Sequence, residues 1–156
     1  MTPALSTGRR GTILVVDDEA MIRALTQRIL EREGFDVVVA RNGLEAIELF
    51  ARRCDAIDAV VLDLEMPLMN GEAALAVIRI MRGDVPAIVT SGLPPEEIRG
   101  RLAGFAAIAT LHKPYPPEDL LRAVGDPRRR VSPAATRLRA NAPDQETAPI
   151  DHAAHP

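Results

Sequence analysis

Blocks of apolar residues follow one another along the chain with two different spacings. Short continuous runs rich in β-branched residues are typical of strands that are buried on both faces. Such runs occupy residues 12–16, 35–40, 59–63, 85–91 and 107–111. In the intervening segments, apolar residues recur every three or four positions, which is typical of helices. The pattern therefore predicts five strands that alternate with five helices.

Residues beside the apolar segments predict where the helices begin and end. Asn42 can cap a helix, and the Asn70–Gly71 pair opens the next one. Two proline pairs, 94–95 and 116–117, each precede two acidic residues and suit a helical first turn. Gly34 can end the first helix. Along that helix the recurring apolar residues are Met21, Ile22, Leu25, Ile29 and Leu30.

Regular alternation of strand and helix predicts an α/β fold with a parallel sheet. Helices then cover both faces of that sheet, and the crossover connections are right-handed. In open sheets of this kind, ligands bind beyond the carboxyl ends of the strands. The residues that end the strands are therefore the first candidates for a functional site.

Polar side chains that can carry chemistry end four of the predicted strands. Asp17 and Asp18 follow the first strand, Asp63 ends the third, Ser91 ends the fourth and Lys113 follows the fifth. Each residue alone is more typical of a turn or a cap, but together they converge on one edge of the sheet. Lys113 is also the only lysine in a chain with 18 arginines.

Three carboxylates at one edge predict a bound cation, because like charges at close range are unfavourable. Mg²⁺ suits the site, since it prefers oxygen ligands and also accepts phosphate oxygens. Mg²⁺ beside a free carboxylate suggests phosphoryl transfer, with an aspartate as the nucleophile. Lys113 could then meet a phosphoryl oxygen as a compact charge, which the bulkier and planar arginine does less well.

Four segments resemble the receiver domain of two-component response regulators. They are ILVVDDEAMIR around the acidic pair, VVLDLEMPLMNG with Pro67 and Gly71 after Asp63, AIVTSG at the fourth strand, and HKPY around Lys113. The resemblance covers roughly residues 11–125. It implies a flavodoxin-like sheet with strand order 2-1-3-4-5.

The resemblance also implies a role for each acidic residue. Asp63 would accept a phosphoryl group from a phosphohistidine on a histidine kinase or a histidine phosphotransfer protein. Asp18 and Asp63 would bind Mg²⁺ directly, and Asp17 largely through water. Glu65 would supply its backbone carbonyl to the metal.

Two further roles and one feature of the backbone come from the same resemblance. Ser91, rather than Thr90, would hydrogen-bond the phosphoryl group, because the hydroxyl residue in the family usually precedes a small residue. Lys113 would pair with the phosphoryl group. The peptide bond between Lys113 and Pro114 is expected to be cis.

One position departs from the family pattern. Members often have an aromatic residue three positions before the lysine, where this chain has Thr110; Tyr115 stands at a different position. We therefore expect the switch to run through Ser91 and the loop at 92–95. The expected contact surface for a downstream protein is the fourth helix, the fifth strand and the fifth helix.

The chain divides into three segments by composition. Residues 1–10 are expected to form a flexible extension, 11–125 the receiver domain and 126–156 a disordered tail. The tail holds five of the 13 prolines and lacks apolar periodicity. No effector domain is expected after 125, so output would come through protein contact. A receiver cut from the end of a hybrid histidine kinase, acting in a phosphorelay, would have a very similar sequence.

Composition disfavours several other classes of function. A net charge of −3 gives no sign of nucleic-acid binding. A single cysteine indicates a reducing compartment, and no apolar run approaches a membrane span. We therefore expect a cytoplasmic protein without membrane insertion. His152 and His155 lack further ligands at metal-site spacing and receive no role.

Two other classes of function stay open on the sequence. A haloacid-dehalogenase-type phosphatase uses similar residues, but its nucleophile strand comes first and it needs room for a substrate cap. A phosphorylation-independent binding module would not require the whole site. No Gly-rich loop follows the first strand, which disfavours a dinucleotide-binding protein. We expect catalysis to be limited to the chain's own phosphorylation and dephosphorylation.

Overall fold

The computed structural model describes residues 8–127 and contains ten regular elements. In chain order these are β1 (Thr12–Val16), α1 (Ala20–Arg32), β2 (Asp36–Ala40), α2 (Gly43–Arg52), β3 (Ala59–Asp63), α3 (Gly71–Met81), β4 (Ala87–Ser91), α4 (Pro95–Arg101), β5 (Ile108–His112) and α5 (Pro117–Val124). The alternation predicted from the apolar pattern is confirmed. Nearly all of the predicted tail, with His152 and His155, lies outside the described residues.

The five strands form one parallel sheet in the order β2-β1-β3-β4-β5, which confirms the order that the family resemblance implied. Val15 of β1 lies between Val39 of β2 and Val61 of β3, so the three strand ends are closely aligned. All residues of β3 and β4 are buried. This burial explains why the two strands appear in the sequence as continuous apolar runs.

Helices cover both faces of the sheet, as the alternation predicted. One apolar cluster packs α2, α3 and α4 against the sheet, and Phe50 is its largest fully buried side chain. The other cluster packs α1 and α5, through Leu30, Leu120 and Val124. Each fully buried large apolar side chain stabilises the fold by about 1.5–3 kcal/mol.

The helix starts follow the predicted capping residues. The side chain of Asn42 accepts a hydrogen bond from the backbone N–H of Glu45, and Asn70 does the same from Ala73, both at 2.9 Å. Each cap satisfies a backbone donor that the helix itself cannot pair. The structure thus confirms both predicted helix starts, at Asn42 and Asn70. The cap at Asn70 places the start of α3 against the end of β3.

Strand boundaries differ from prediction by one or two residues, for local reasons. β4 begins at Ala87 rather than 85, since Pro86 has no N–H for the ladder. β5 begins at Ile108, because Ala107 has a left-handed backbone with φ of 53° that interrupts the extended chain. β2 begins one residue after Phe35.

Two apolar residues of α1 point away from the core. Met21 is 85% exposed and Leu25 is 56% exposed, whereas the buried positions of this helix are Thr26 and Leu30. The apolar arc of α1 is therefore wider than the strip that packs on the sheet. Within residues 8–127, none of the helices combines the length and apolar composition that a membrane crossing needs.

Candidate functional site

The carboxyl ends of the strands carry a compact group of polar side chains. Asp17 follows β1, Asp63 ends β3 and Ser91 ends β4. All three are buried, with exposed fractions of 4%, 4% and 0%. Asp18 is exposed at the rim, and half-buried Lys113 follows β5. The structure therefore brings together the five residues that the sequence pattern assigned to this edge.

The three aspartates form a potential metal site. One carboxylate oxygen from each of Asp17, Asp18 and Asp63 lies within 4.8 Å of the others. A set of oxygen donors, two of them buried, suits Mg²⁺, which prefers oxygen and retains some of its waters. The donor set of this edge therefore fits the ion that the sequence predicted.

Three contacts hold Asp17 in place. One carboxylate oxygen accepts the backbone N–H of Glu19 at 2.9 Å, and the other lies 3.1 Å from the ammonium nitrogen of Lys113. Its backbone carbonyl accepts a hydrogen bond from Arg23 at 2.7 Å. With both carboxylate oxygens engaged, Asp17 suits an indirect contact to a metal through water, which stays a prediction.

The electrostatics of Asp63 differ most from those of an ordinary carboxylate. Burial raises its pKa from 3.8 to about 6, and the negative charge of Asp17 acts in the same direction. The ammonium of Lys113 at 3.4 Å and the backbone N–H of Glu65 at 3.3 Å partly oppose this rise. The ionised carboxylate is thus short of compensating charge, which favours its reaction with an electrophile or its contact with a cation.

Lys113 connects the two buried carboxylates. Burial alone would lower its pKa, but the charges of Asp63 and Asp17 raise it above the ordinary value. A single ammonium nitrogen reaches both acids, at 3.4 and 3.1 Å. The peptide bond to Pro114 is cis, as predicted.

Ser91 is buried and accepts two hydrogen bonds. Its hydroxyl oxygen accepts the backbone N–H of Leu93 at 3.0 Å, which ties the β4 end to the following loop. Its backbone carbonyl accepts the N–H of Lys113 at 2.8 Å. Thr90 pairs in register with Asp63 and is buried too. Neighbouring side chains on a strand point to opposite faces, so only one of these two hydroxyl groups can face a phosphoryl group on Asp63. The choice of Ser91 over Thr90 stays a prediction.

The loop after Asp63 packs tightly beneath the site. A Cβ atom on Gly71 would lie 2.4 Å from the carbonyl oxygen of Asp63 and 2.8 Å from the Cα of Leu64. Glycine is therefore required where α3 meets the end of β3. Leu68, in the same loop, is 84% exposed and has a φ of 70°. The side chain of Glu65 is exposed, and the role of its carbonyl stays a prediction.

Two contacts near the site were not predicted from the sequence. The Arg23 side chain donates a hydrogen bond to the backbone carbonyl of Asp17. The position of Arg23 one turn into α1 is the sequence signal that could have predicted this contact. Tyr115 is hydrogen-bonded to Thr26 of α1, and burial raises the pKa of its hydroxyl. Thr110, where many family members have an aromatic residue, is exposed on β5.

The fold and the site define a class of signalling domain. Residues 13–125 match the family model described as the response regulator receiver domain. The chain therefore belongs to this family.

Individual relatives come from several bacteria. The response regulator MprA of Mycobacterium leprae is 36% identical over 123 residues, which are 78% of this chain and 52% of that protein. The chain thus spans about half the length of the curated relatives it matches. A receiver domain protein from Clostridium thermocellum superimposes with a TM-score of 0.71 at 26% identity, over 83% of this chain and 98% of the other. The CheX–CheY–BeF3–Mg²⁺ complex from Borrelia burgdorferi superimposes with a TM-score of 0.67 at 30% identity, over 73% of this chain and 86% of the other.

Proposed function

We propose that Asp63 accepts a phosphoryl group from the phosphohistidine of a histidine kinase or a histidine phosphotransfer protein. The observation that carries this proposal is the buried Asp63 carboxylate, whose pKa is raised to about 6 and which lies 3.4 Å from the ammonium of Lys113. Asp17, Asp18, Asp63 and the carbonyl of Glu65 would hold Mg²⁺. A related CheY was crystallised in a complex with BeF3 and Mg²⁺.

The proposed transfer is a displacement at phosphorus. A carboxylate oxygen of Asp63 forms a bond to phosphorus while the bond from phosphorus to the donor imidazole nitrogen breaks, and the electron pair stays on that nitrogen. When bound, Mg²⁺ supplies positive charge beside the transferring oxygens. Lys113 stays charged, because the two acids raise its pKa, and it can turn from Asp63 to a phosphoryl oxygen.

Ser91 would complete the contacts to the bound phosphoryl group. Its hydroxyl oxygen already accepts a hydrogen bond from Leu93 and still has its own proton to donate. Donation to a phosphoryl oxygen would draw Ser91 and the 92–95 loop toward Asp63. The module would then signal through the surface formed by α4, β5 and α5, by contact with another protein.

The phosphodonor would dock on α1, in our proposal. Exposed Met21 and Leu25 form an apolar face on this helix. Beside that face, a cavity of about 320 Å³ extends to Lys113 and is lined by Ile22, Leu25, Thr26, Ile29, Lys113, Pro114, Tyr115 and Pro117. An apolar surface next to the phosphoacceptor suits a protein donor whose helices present a histidine.

We further propose that the chain is not an enzyme for other substrates and catalyses only its own phosphorylation and dephosphorylation. The strand order supports this, since the acidic pair follows β1 and the phosphoacceptor ends β3. A cytoplasmic location belongs to the same proposal. Steady turnover of a small phosphate ester, abolished in Asp63→Asn, would instead favour a phosphatase.

The direct test uses acetyl phosphate and Mg²⁺ with the full chain. Intact mass spectrometry should show the gain of one phosphoryl group, and fragmentation should place it on Asp63. Asp63→Asn and a sample with excess chelator are the controls, and both should remain unmodified. Absence of any gain in the wild type, with Mg²⁺ present, would overturn the proposed function.

A second experiment separates donor docking from chemistry. Leu25→Asp should slow transfer from a phosphorylated kinase domain but leave phosphorylation by acetyl phosphate unchanged, because the small donor needs no α1 contact. Leu44→Asp, at an apolar position of α2 that is 50% exposed, is the matched control. Equal rates of kinase transfer for the two variants would contradict docking on α1.

A further inference from the structure

Helix α4 lies between two strands that end in the predicted phosphoryl contacts. It follows Ser91, the last residue of β4, and precedes β5, which leads into Lys113. The two strand ends are joined by the hydrogen bond from the Lys113 N–H to the Ser91 carbonyl at 2.8 Å. Ser91 therefore contacts both ends of the segment at 92–112, through the chain at one end and through this hydrogen bond at the other.

The apolar anchoring of α4 is slight. The helix has seven residues, and its N-terminus has no side-chain cap. Its buried apolar side chains are Ile98 within the helix and Leu102 at its end, with exposed fractions of 3% and 7%. A short helix with two anchors can move at low cost, so its polar contacts have a large share in fixing its position.

Helix α3 supplies polar contacts both to α4 and to the turn that follows it. The guanidinium of Arg101, in the last turn of α4, pairs with the carboxylate of Glu72 in the first turn of α3. Both side chains are about three-quarters buried, at 28% and 24% exposure. Farther along α3, Arg79 donates hydrogen bonds to the carbonyls of Ala106 and Ala107, at 2.7 and 3.3 Å, and holds the turn before β5.

The two residues of the Glu72–Arg101 pair follow two neighbouring strands, β3 and β4, which pair in register at Asp63 and Thr90. Glu72 follows Gly71, whose backbone packs against Asp63 and whose N–H donates to the carbonyl of Leu64 at 2.9 Å. The start of α3, which carries Glu72, is therefore packed against the end of the phosphoacceptor strand. Arg101 belongs to α4, which is linked to Ser91 through Leu93 and a stiff Pro94–Pro95 connection. The Glu72–Arg101 pair therefore bridges the element that follows Asp63 and the element that follows Ser91.

We infer that the Glu72–Arg101 ion pair is a latch that holds α4 in its resting position and is released when Asp63 carries a phosphoryl group. This inference rests on the proposed function and names the regulation of the same site. Thr110 offers no aromatic ring on β5 that could restrain α4 instead. An interaction present only in the resting state opposes the activated state, so its loss strengthens binding of any ligand that favours activation.

The test measures the affinity of the full chain for fluoroberyllate in the presence of Mg²⁺. Arg101→Gln should bind the mimic about two- to fivefold more tightly than wild type, as expected for a partly buried ion pair. Arg99→Gln is the matched control, because Arg99 is exposed on the same helix, and it should bind as wild type does. Glu72→Gln should reproduce the gain, and the double variant should add nothing to it.

A structural readout accompanies the affinities. Without ligand, backbone amide resonances of 92–112 in Arg101→Gln should move part of the way toward their fluoroberyllate-bound positions. Thermal unfolding of each variant confirms that it is folded. Equal affinities of Arg101→Gln and Arg99→Gln, or additive gains in the double variant, would overturn the latch alone. Failure of wild type to bind the mimic at all would overturn both the latch and the proposed function.

Discussion

Asp63→Asn tests the electrostatic description of the site through stability rather than activity. In the folded protein, burial and the neighbouring Asp17 raise the pKa of Asp63 to about 6, against 3.8 for the ordinary group. The folded state therefore binds the proton more tightly than the unfolded state. The ionised carboxylate costs stability, and this cost is fully present above about pH 7, fades as the pH falls through 6 and vanishes below about pH 4.

The size of the effect follows from the difference in pKa. At about 1.4 kcal/mol for each pH unit between folded and unfolded values, the ionised group costs about 3 kcal/mol. The asparagine variant avoids that cost, which is already net of the attraction between Asp63 and Lys113. We therefore expect Asp63→Asn to be more stable than wild type by about 1–3 kcal/mol near pH 8, and by much less near pH 4.5.

The assay is urea unfolding at both pH values with a chelator present. Asp55→Asn, at an exposed acidic position, is the matched control and should change little at either pH. Added Mg²⁺ should then stabilise wild type more than Asp63→Asn, because a ligand of the folded state raises its stability. A variant that is less stable than wild type near pH 8, or a difference that is the same at both pH values, would refute the reasoning.

Three further substitutions test the geometry around the site. Lys113→Arg should remain folded but slow phosphorylation by acetyl phosphate at least about tenfold, because a planar guanidinium cannot replace one ammonium nitrogen between two acids. A mass-spectrometric time course measures the rate, and an unchanged rate would contradict this expectation. Leu68→Gly should raise the free energy of unfolding by about 0.5–1 kcal/mol, since it relieves a left-handed φ at an exposed position, and a loss of stability in urea would refute the strain. Gly71→Ala should lower that free energy by more than about 2 kcal/mol, because its Cβ would overlap the carbonyl oxygen of Asp63; a near-neutral result in the same assay would contradict the close approach.

Much of the fold was predictable because its elements have strong local signals. β3 is buried on both faces and ends in Asp63, so its apolar run and its terminator both appear in the sequence. The caps at Asn42 and Asn70 were predictable for the same reason, since a cap acts within three residues. The convergence of Asp17, Asp63 and Lys113 then followed from the rule that parallel strands end at one edge.

The contacts that escaped prediction depend on three-dimensional packing. The bond from Arg23 to the Asp17 carbonyl depends on the angle at which α1 leaves β1. The Glu72–Arg101 pair depends on how α4 lies across α3, and the two residues are 29 positions apart. Ala107 gives no local sign of a left-handed backbone, so the start of β5 was misplaced. The pattern of apolar residues carries no information about such distant pairs.

Lys113 gives the site a spectroscopic consequence. Because the 156-residue chain has one lysine, a sample prepared with isotope-labelled lysine would contain a single labelled ammonium group. That nitrogen lies between the two buried carboxylates. Its magnetic resonance signal would appear without overlap from any other residue. Phosphorylation and dephosphorylation at Asp63 could thus be followed at one atom, in real time, in a mixture with unlabelled partner proteins.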